Sequence, residues 1–210
     1  MLKKQLNKII IFFLITLTGV VACKEKGKEN KIILFGDSLM SGYGLNKEYH
    51  LSKILENNLF NSGYKVKVIN RSVSGDTTSD GLKRIDQILN DKDIDLIVLC
   101  LGANDMLQRI NPIETERNLN KIIDLINNKE INIIIAGIKA PLSTGISYSK
   151  KFNPIFKKLS KKYKLNFIPF LLEGVAMRPD YNLNDGLHPN EKGVKIIAKN
   201  LEKKIIKIIK

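Results

Sequence analysis

Cysteine and histidine are both scarce: the 210 residues hold Cys23 and Cys100, His50 and His188, and no others of either kind. Cys100 lies inside the apolar run "DLIVLCL" and is read as buried, while Cys23 stands near the N-terminus. Two such cysteines build neither a disulfide framework nor a cysteine-based metal site. Two histidines leave a short choice for any imidazole base. There is no internal repeat, and low complexity is confined to the lysine-rich tail "LEKKIIKIIK". No basic stretch is interleaved with aromatics and none carries a nucleic-acid motif, so the net charge of +14 is not read as a nucleic-acid surface. It suits anionic lipid headgroups or a solvated lysine-rich face. A membrane-spanning run is lacking too. The apolar segment Ile9 to Val21, at about 1.5 Å per residue, falls short of a hydrocarbon core of about 30 Å.

What is present begins with that segment. Lys3, Lys4 and Lys8 precede it and Ala22-Cys23 close it, the layout of a secretory signal over residues 1–22 rather than of a folded element. "VVAC", Val20 to Cys23, resembles the lipobox of bacterial lipoproteins, which are cut before a cysteine that then carries the lipid. An ordinary signal peptide with Cys23 as a bystander is the plainer alternative. Several acyl chains on Cys23, at roughly 0.8 kcal/mol per buried methylene, would hold the protein on a membrane. Residues 23–30 then form the lipidated cysteine and a charged tether reaching roughly 15 Å if flexible. The expected location is the bacterial cell envelope, exported and lipid-anchored. Residues 31–210 make one domain with a substantial core.

In that domain short apolar runs alternate with amphipathic stretches. Strands are predicted at Lys31 to Phe35, Lys65 to Asn70, Asp95 to Leu101, Ile131 to Ile138 and Asn166 to Phe170. Helices are predicted near Tyr49 to Asn61, Ser79 to Asn90, Pro112 to Asn128 and Lys150 to Lys162. A last helix from Asn190 places Val194, Ile197, Ala198, Leu201, Ile205 and Ile208 on one face. Five strands alternating with helices imply an α/β fold with a parallel sheet covered on both faces. Ligands of such sheets bind beyond the carboxyl ends of the strands.

The loops at those ends read "GDSLMSG", "SVSGDTT" and "LGANDML", and "NDGLHPN" precedes the last helix. Together they hold the parts for acyl transfer. A serine hydroxyl needs a base to take its proton, usually an imidazole oriented by a carboxylate. His50 precedes Leu51, Ile54, Leu55 and Leu59 and reads as a helix-flank residue. His188 follows Asp185 by three residues, with Gly186 between them, a spacing that can bring the carboxylate to Nδ1 and leave Nε2 for Ser38; a turn with no chemistry would use the same residues. Candidate donors to an oxyanion are the backbone N–H groups of Ser38 and Gly75 and the side-chain amide of Asn104.

These four blocks, "GDSL" with Ser38, "SGDTT" with Gly75, "GAND" with Asn104 and "DGLHPN" with Asp185 and His188, resemble those of the SGNH hydrolases, also called GDSL esterases and lipases. The fuller strings "GDSLMSGYG" and "SGDTTSDGL" are most similar to the bacterial branch of acyl-CoA thioesterase I, lysophospholipase L1 and arylesterase. The resemblance implies a flavodoxin-like three-layer sandwich with strand order 2-1-3-4-5. It implies Ser38 as nucleophile, His188 as base, Asp185 as its partner, and an oxyanion hole of Ser38, Gly75 and Asn104. No metal or other cofactor and no obligate protein partner is implied. The expected substrate is a small-molecule or lipid ester or thioester: a lysophospholipid, an aryl ester or another acyl ester. Asp37 is expected to order its turn, and Gly36 and the glycines that follow it to free the loop that presents Ser38. Cys23 departs from soluble exported members of the branch and directs the expectation to ester lipids or envelope material near a membrane.

Met106, Leu107 and Ile110 after the third strand, and Leu142 and Ile146 after the fourth, are candidates for an acyl groove or for packing loops onto the core. Three other readings stay open. One is a short-chain carbohydrate acetylesterase of the same fold. A second is a catalytically silent, lipid-anchored binding protein. The third is a magnesium site built from Asp37, Asp76, Asp105 and Asp185 for phosphoryl chemistry.

Overall fold

In the computed structural model, residues 29–209 are described. The signal-like segment 1–22, the lipidation candidate Cys23 and most of the tether lie outside the described residues. Five strands, β1 (Asn30–Gly36), β2 (Val66–Asn70), β3 (Ile94–Cys100), β4 (Asn132–Ala136) and β5 (Asn166–Ile168), form one parallel sheet in the order β2-β1-β3-β4-β5. The two central strands carry the unbroken apolar runs. Ile32 to Phe35 and Leu96 to Cys100 are fully buried, as a strand covered on both faces requires. At the β2 edge, exposed Lys67 stands between buried Val66 and Val68, and β5 at the other edge is only three residues long.

Eight helices are described: α1 (Ser38–Ser41), α2 (Leu51–Asn61), α3 (Thr78–Leu89), α4 (Ala103–Leu107), α5 (Pro112–Asn127), α6 (Ile146–Phe152), α7 (Ile155–Lys162) and α8 (Glu191–Ile205). α2 packs on α8, and α5 packs on both α3 and α7, so helix layers cover the sheet on both sides. Their starts are written locally. Thr77 and Asp80 form a reciprocal capping box on α3; Asn111 caps α5, whose first residue is Pro112. The Asn190 side chain accepts from the Lys192 and Gly193 amides at the head of α8.

Most element ends fall within one or two residues of the sequence reading, and the differences with a physical reason are these. The helix expected over Lys150 to Lys162 is two, α6 and α7, parted at Pro154, whose ring nitrogen donates no hydrogen bond. β4 and β5 end two residues early, before Gly137 and Pro169. α8 stops at Ile205, and Ile209 rather than Ile208 continues its buried face.

Candidate active site

Ser38 is the first residue of α1, immediately beyond β1. Asp37 caps this short helix, its Oδ1 accepting the Leu39 amide at 3.0 Å. Gly36 has a different use from the one expected. It is still part of β1, and a Cβ there would stand 2.6 Å from the Cys100 carbonyl oxygen of β3. Close approach of the two central strands, rather than freedom of the loop, requires glycine.

His188 reaches Ser38 from the segment before α8. That segment is folded back on itself by an isolated bridge between Asn182 and Pro189 and by the Leu183 amide donating to the His188 carbonyl at 2.8 Å. Asp185 sits at the bend. Its Oδ1 accepts the amides of Leu187 (2.8 Å) and His188 (3.0 Å), and its Oδ2 lies 2.7 Å from His188 Nδ1. The His188 Nε2 lies 2.9 Å from Ser38 Oγ, across 150 residues of chain. The His188 amide, the His188 ring and the Leu187 amide hold the Asp185 carboxyl down to about 2, so it is ionised at neutral pH. An ionised acceptor at Nδ1 keeps the proton there and leaves the Nε2 lone pair facing the hydroxyl. His50 takes no part: its Nε2 meets the Leu45 carbonyl at 3.2 Å, and it precedes α2 as expected.

Gly75 follows β2 with φ 89°, a left-handed conformation that glycine adopts freely. A Cβ there would meet nothing within 4 Å, so the backbone angle alone makes the demand. Among the described residues the Gly75 and Ser38 amides donate no hydrogen bond. Asn104, on α4, gives one hydrogen of its Nδ2 to the Asp76 carbonyl at 2.9 Å and keeps the second. Ser38, Gly75, Asn104 and His188 border one cavity of about 670 Å³.

The rest of that cavity is mostly apolar. Met106, Leu107 and Leu142 line it, whereas Ile110 and Ile146 do not. Ile110 lies past the end of α4, its carbonyl accepting from Tyr148 Oη at 3.0 Å, and Ile146 opens α6 with its side chain in solvent. Residues missed in the sequence complete the wall. Ile138 and Phe170 come from chain just past β4 and β5 that reads as strand ends, Leu172 follows Phe170 by two residues, and Tyr43 comes from the loop after α1. Tyr43 was visible inside "GDSLMSGYG", but nothing in the string says which way its ring turns.

The four acids of the magnesium reading are dispersed among separate tasks. Asp76 pairs with Arg84 at 2.5 Å, and Asp185 serves His188. Asp105 is buried and accepts from the Thr78 amide, the Thr78 hydroxyl and Thr115 Oγ1, tying α4 to α3 and α5. Asp37 caps α1. Among the described residues, no group of three or more His, Cys, Asp or Glu side chains is placed to hold a metal ion.

The model of the GDSL-like lipase/acylhydrolase family matches residues 34–196, a span that includes every block of this site. The chain belongs to that family. It is 34% identical over 203 residues to an arylesterase of Vibrio mimicus, covering 97% of this chain and 98% of the relative. It is 30% identical over 193 residues to the thioesterase 1/protease 1/lysophospholipase L1 of Escherichia coli K12, covering 92% and 89%. Among solved structures, the psychrotrophic esterase EstA from Pseudoalteromonas sp., inhibited by monoethylphosphonate, superposes with a TM-score of 0.80 at 28% identity, covering 85% of this chain and 98% of that one. As a GDSL-like acylhydrolase the chain is a carboxylic ester hydrolase, and its sheet has the flavodoxin-like order expected of such enzymes.

Proposed function

We propose that the enzyme works through an acyl-serine intermediate, with Ser38 as nucleophile, His188 as general base and Asp185 as the carboxylate that orients it. The observation that carries the reading is the unbroken chain from Asp185 Oδ2 through both ring nitrogens of His188 to Ser38 Oγ. His188 Nε2 takes the hydroxyl proton as Oγ bonds to the ester carbon. The imidazolium then returns that proton to the leaving alcohol or thiol as the carbon–leaving group bond breaks. Water enters, gives a proton to the same nitrogen and attacks the acyl carbon, and Ser38 leaves with that proton restored. The oxyanion of each tetrahedral intermediate is met by the Ser38 and Gly75 amides and the spare Asn104 hydrogen.

The apolar cavity bordering Ser38 supports an acyl chain as the part of the substrate it holds, with Met106, Leu107 and Leu142 against that chain. Aryl esters, thioesters and lysophospholipids are the substrates to offer first, since the relatives carry those activities in their names. The signal-like N-terminus and Cys23 support an envelope location with a lipid anchor. Palmitate labelling of wild type against Cys23→Ser checks that placement.

Hydrolysis of nitrophenyl esters from acetyl to palmitoyl, beside Ser38→Ala, tests the mechanism. Turnover and labelling by a fluorophosphonate, both lost in Ser38→Ala, are expected. A wild type that neither turns over nor labels leaves a silent binding protein in its place.

A further inference from the structure

Arg84 lies on α3 with its side chain mostly buried and its guanidinium 4.6 Å from the centre of the Phe35 ring. Its three nitrogens go to three acceptors, two in the loop after β2 and one at the end of β1. Nε donates to Asp76 Oδ2 at 2.5 Å, one Nη to the Arg71 carbonyl at 2.6 Å and the other to the Gly36 carbonyl at 3.2 Å. Each acceptor stands close to an oxyanion donor. Gly36 is two residues before Ser38; Asp76 follows Gly75 directly; and the Asp76 carbonyl holds the Asn104 amide at 2.9 Å. Arg71 opens the loop that carries Gly75.

We propose that Arg84 is the positioning residue of the oxyanion hole, the single fork that fixes the Ser38, Gly75 and Asn104 donors relative to one another. The inference rests on the acyl-serine reading above. No other side chain in the described residues hydrogen-bonds both the end of β1 and the loop after β2 while pairing with the residue that anchors Asn104. A planar guanidinium does this because its N–H groups point in fixed directions, whereas a lysine ammonium offers one point charge on a flexible stem. The aromatic face of Phe35 holds the plane from one side. Arg84 does not touch the substrate, so its loss should misplace the donors by a fraction of an ångström rather than remove one, and such displacement is felt in the transition state.

The test compares wild type, Arg84→Lys and Arg84→Met on nitrophenyl butyrate, together with inhibition by a trifluoromethyl ketone, whose serine adduct places an oxyanion in the hole. The expected result is a fall in kcat of about ten- to hundred-fold with KM within about twofold, and ketone affinity falling in step with kcat. Asp76→Asn, which keeps the shape and an acceptor oxygen but weakens the pair, should fall in the same direction by less. It stands in should Arg84→Met not fold. Retained kcat in Arg84→Lys, or a loss borne by KM with ketone affinity unchanged, overturns the inference. A wild type without Ser38-dependent turnover would instead sink the acyl-serine reading on which it rests.

Discussion

The ring of Tyr43 lies against that of His188, centroid to centroid 4.3 Å, with the planes tilted by 35°. Asp185 grips the imidazole at Nδ1 and Tyr43 covers its face, so the ring has little freedom to turn Nε2 away from Ser38. An aromatic pair of this kind contributes about 0.5–1.5 kcal/mol beyond its buried area. Tyr43→Ala should therefore lower kcat by about two- to twelve-fold, and Tyr43→Phe should stay near wild type because the face makes the contact. Steady-state kinetics on one ester decide this; a phenylalanine variant as slow as the alanine one would assign the effect to the hydroxyl.

Asp185→Asn separates orientation from folding. The asparagine oxygen can still accept the Leu187 and His188 amides that shape the bend, so the loop should keep its form. Its NH₂ group, however, would face Nδ1 and favour the tautomer with a proton on Nε2, which cannot take one from Ser38. A fall in kcat on the order of 10³- to 10⁴-fold is expected with an unchanged circular dichroism spectrum. A fall below tenfold would remove Asp185 from its assigned role. In the wild type, with this carboxyl held near 2, protonation of Asp185 should cost no activity above pH 4.

Asp37 gives the pH dependence of stability an unusual sign. Its side chain is fully buried and its Oδ2 has no hydrogen-bond partner among the described residues. Burial pushes the carboxyl up to about 7; the Leu39 and Ala103 amides oppose the rise, and Asp105 and Asp76 add to it. The unfolded chain releases this proton near the ordinary value of 3.8 and the folded one holds it to about 7. Between those values the native state binds more protons, so Asp37 lowers stability progressively as pH rises through the window. Asn cannot ionise. Urea denaturation should show the stability of Asp37→Asn, relative to wild type, increasing between pH 4 and pH 8 by on the order of 4 kcal/mol, at about 1.4 kcal/mol per pK unit. A difference constant across that range would show that Asp37 ionises alike in both states.

The readable and unreadable parts of the site differ for a physical reason. Ser38, Gly75, Asn104, Asp185 and His188 all lie beyond the carboxyl ends of strands, in loops or at the start of short helices, and the two central strands announce themselves as unbroken apolar runs. Topology then brings those loops together without any knowledge of side-chain direction. Arg84 is the opposite case. It follows Lys83, which is exposed and paired with Asp80, and the two basic residues look alike in the sequence; only the rotation of α3 turns one to solvent and the other under the site. The same blindness grouped Leu142, which lines the cavity, with Ile146, which does not. An apolar residue in a loop has no periodicity to reveal its side. At Pro154 the break in a helix was legible from residue type, yet the amphipathic pattern on either side of it reads as one continuous helix.

That contrast between Leu142 and Ile146 supplies the test of the cavity as an acyl site. The two residues are of like size and lie four positions apart, both largely exposed, but only Leu142 borders the space beside Ser38. If the acyl chain enters that space, each methylene it buries should add roughly 0.8 kcal/mol, a rise in kcat/KM of about fourfold per methylene until the cavity is filled. Across nitrophenyl esters of increasing length, wild type should climb from acetyl and then level off. Leu142→Ala should change where it levels, and Ile146→Ala should follow the wild-type curve. Acetyl esters turning over fastest, with no gain per methylene, would empty the cavity of its proposed occupant and favour a short-chain acetylesterase. Equal shifts in both variants would place the chain on the outer surface of the loop.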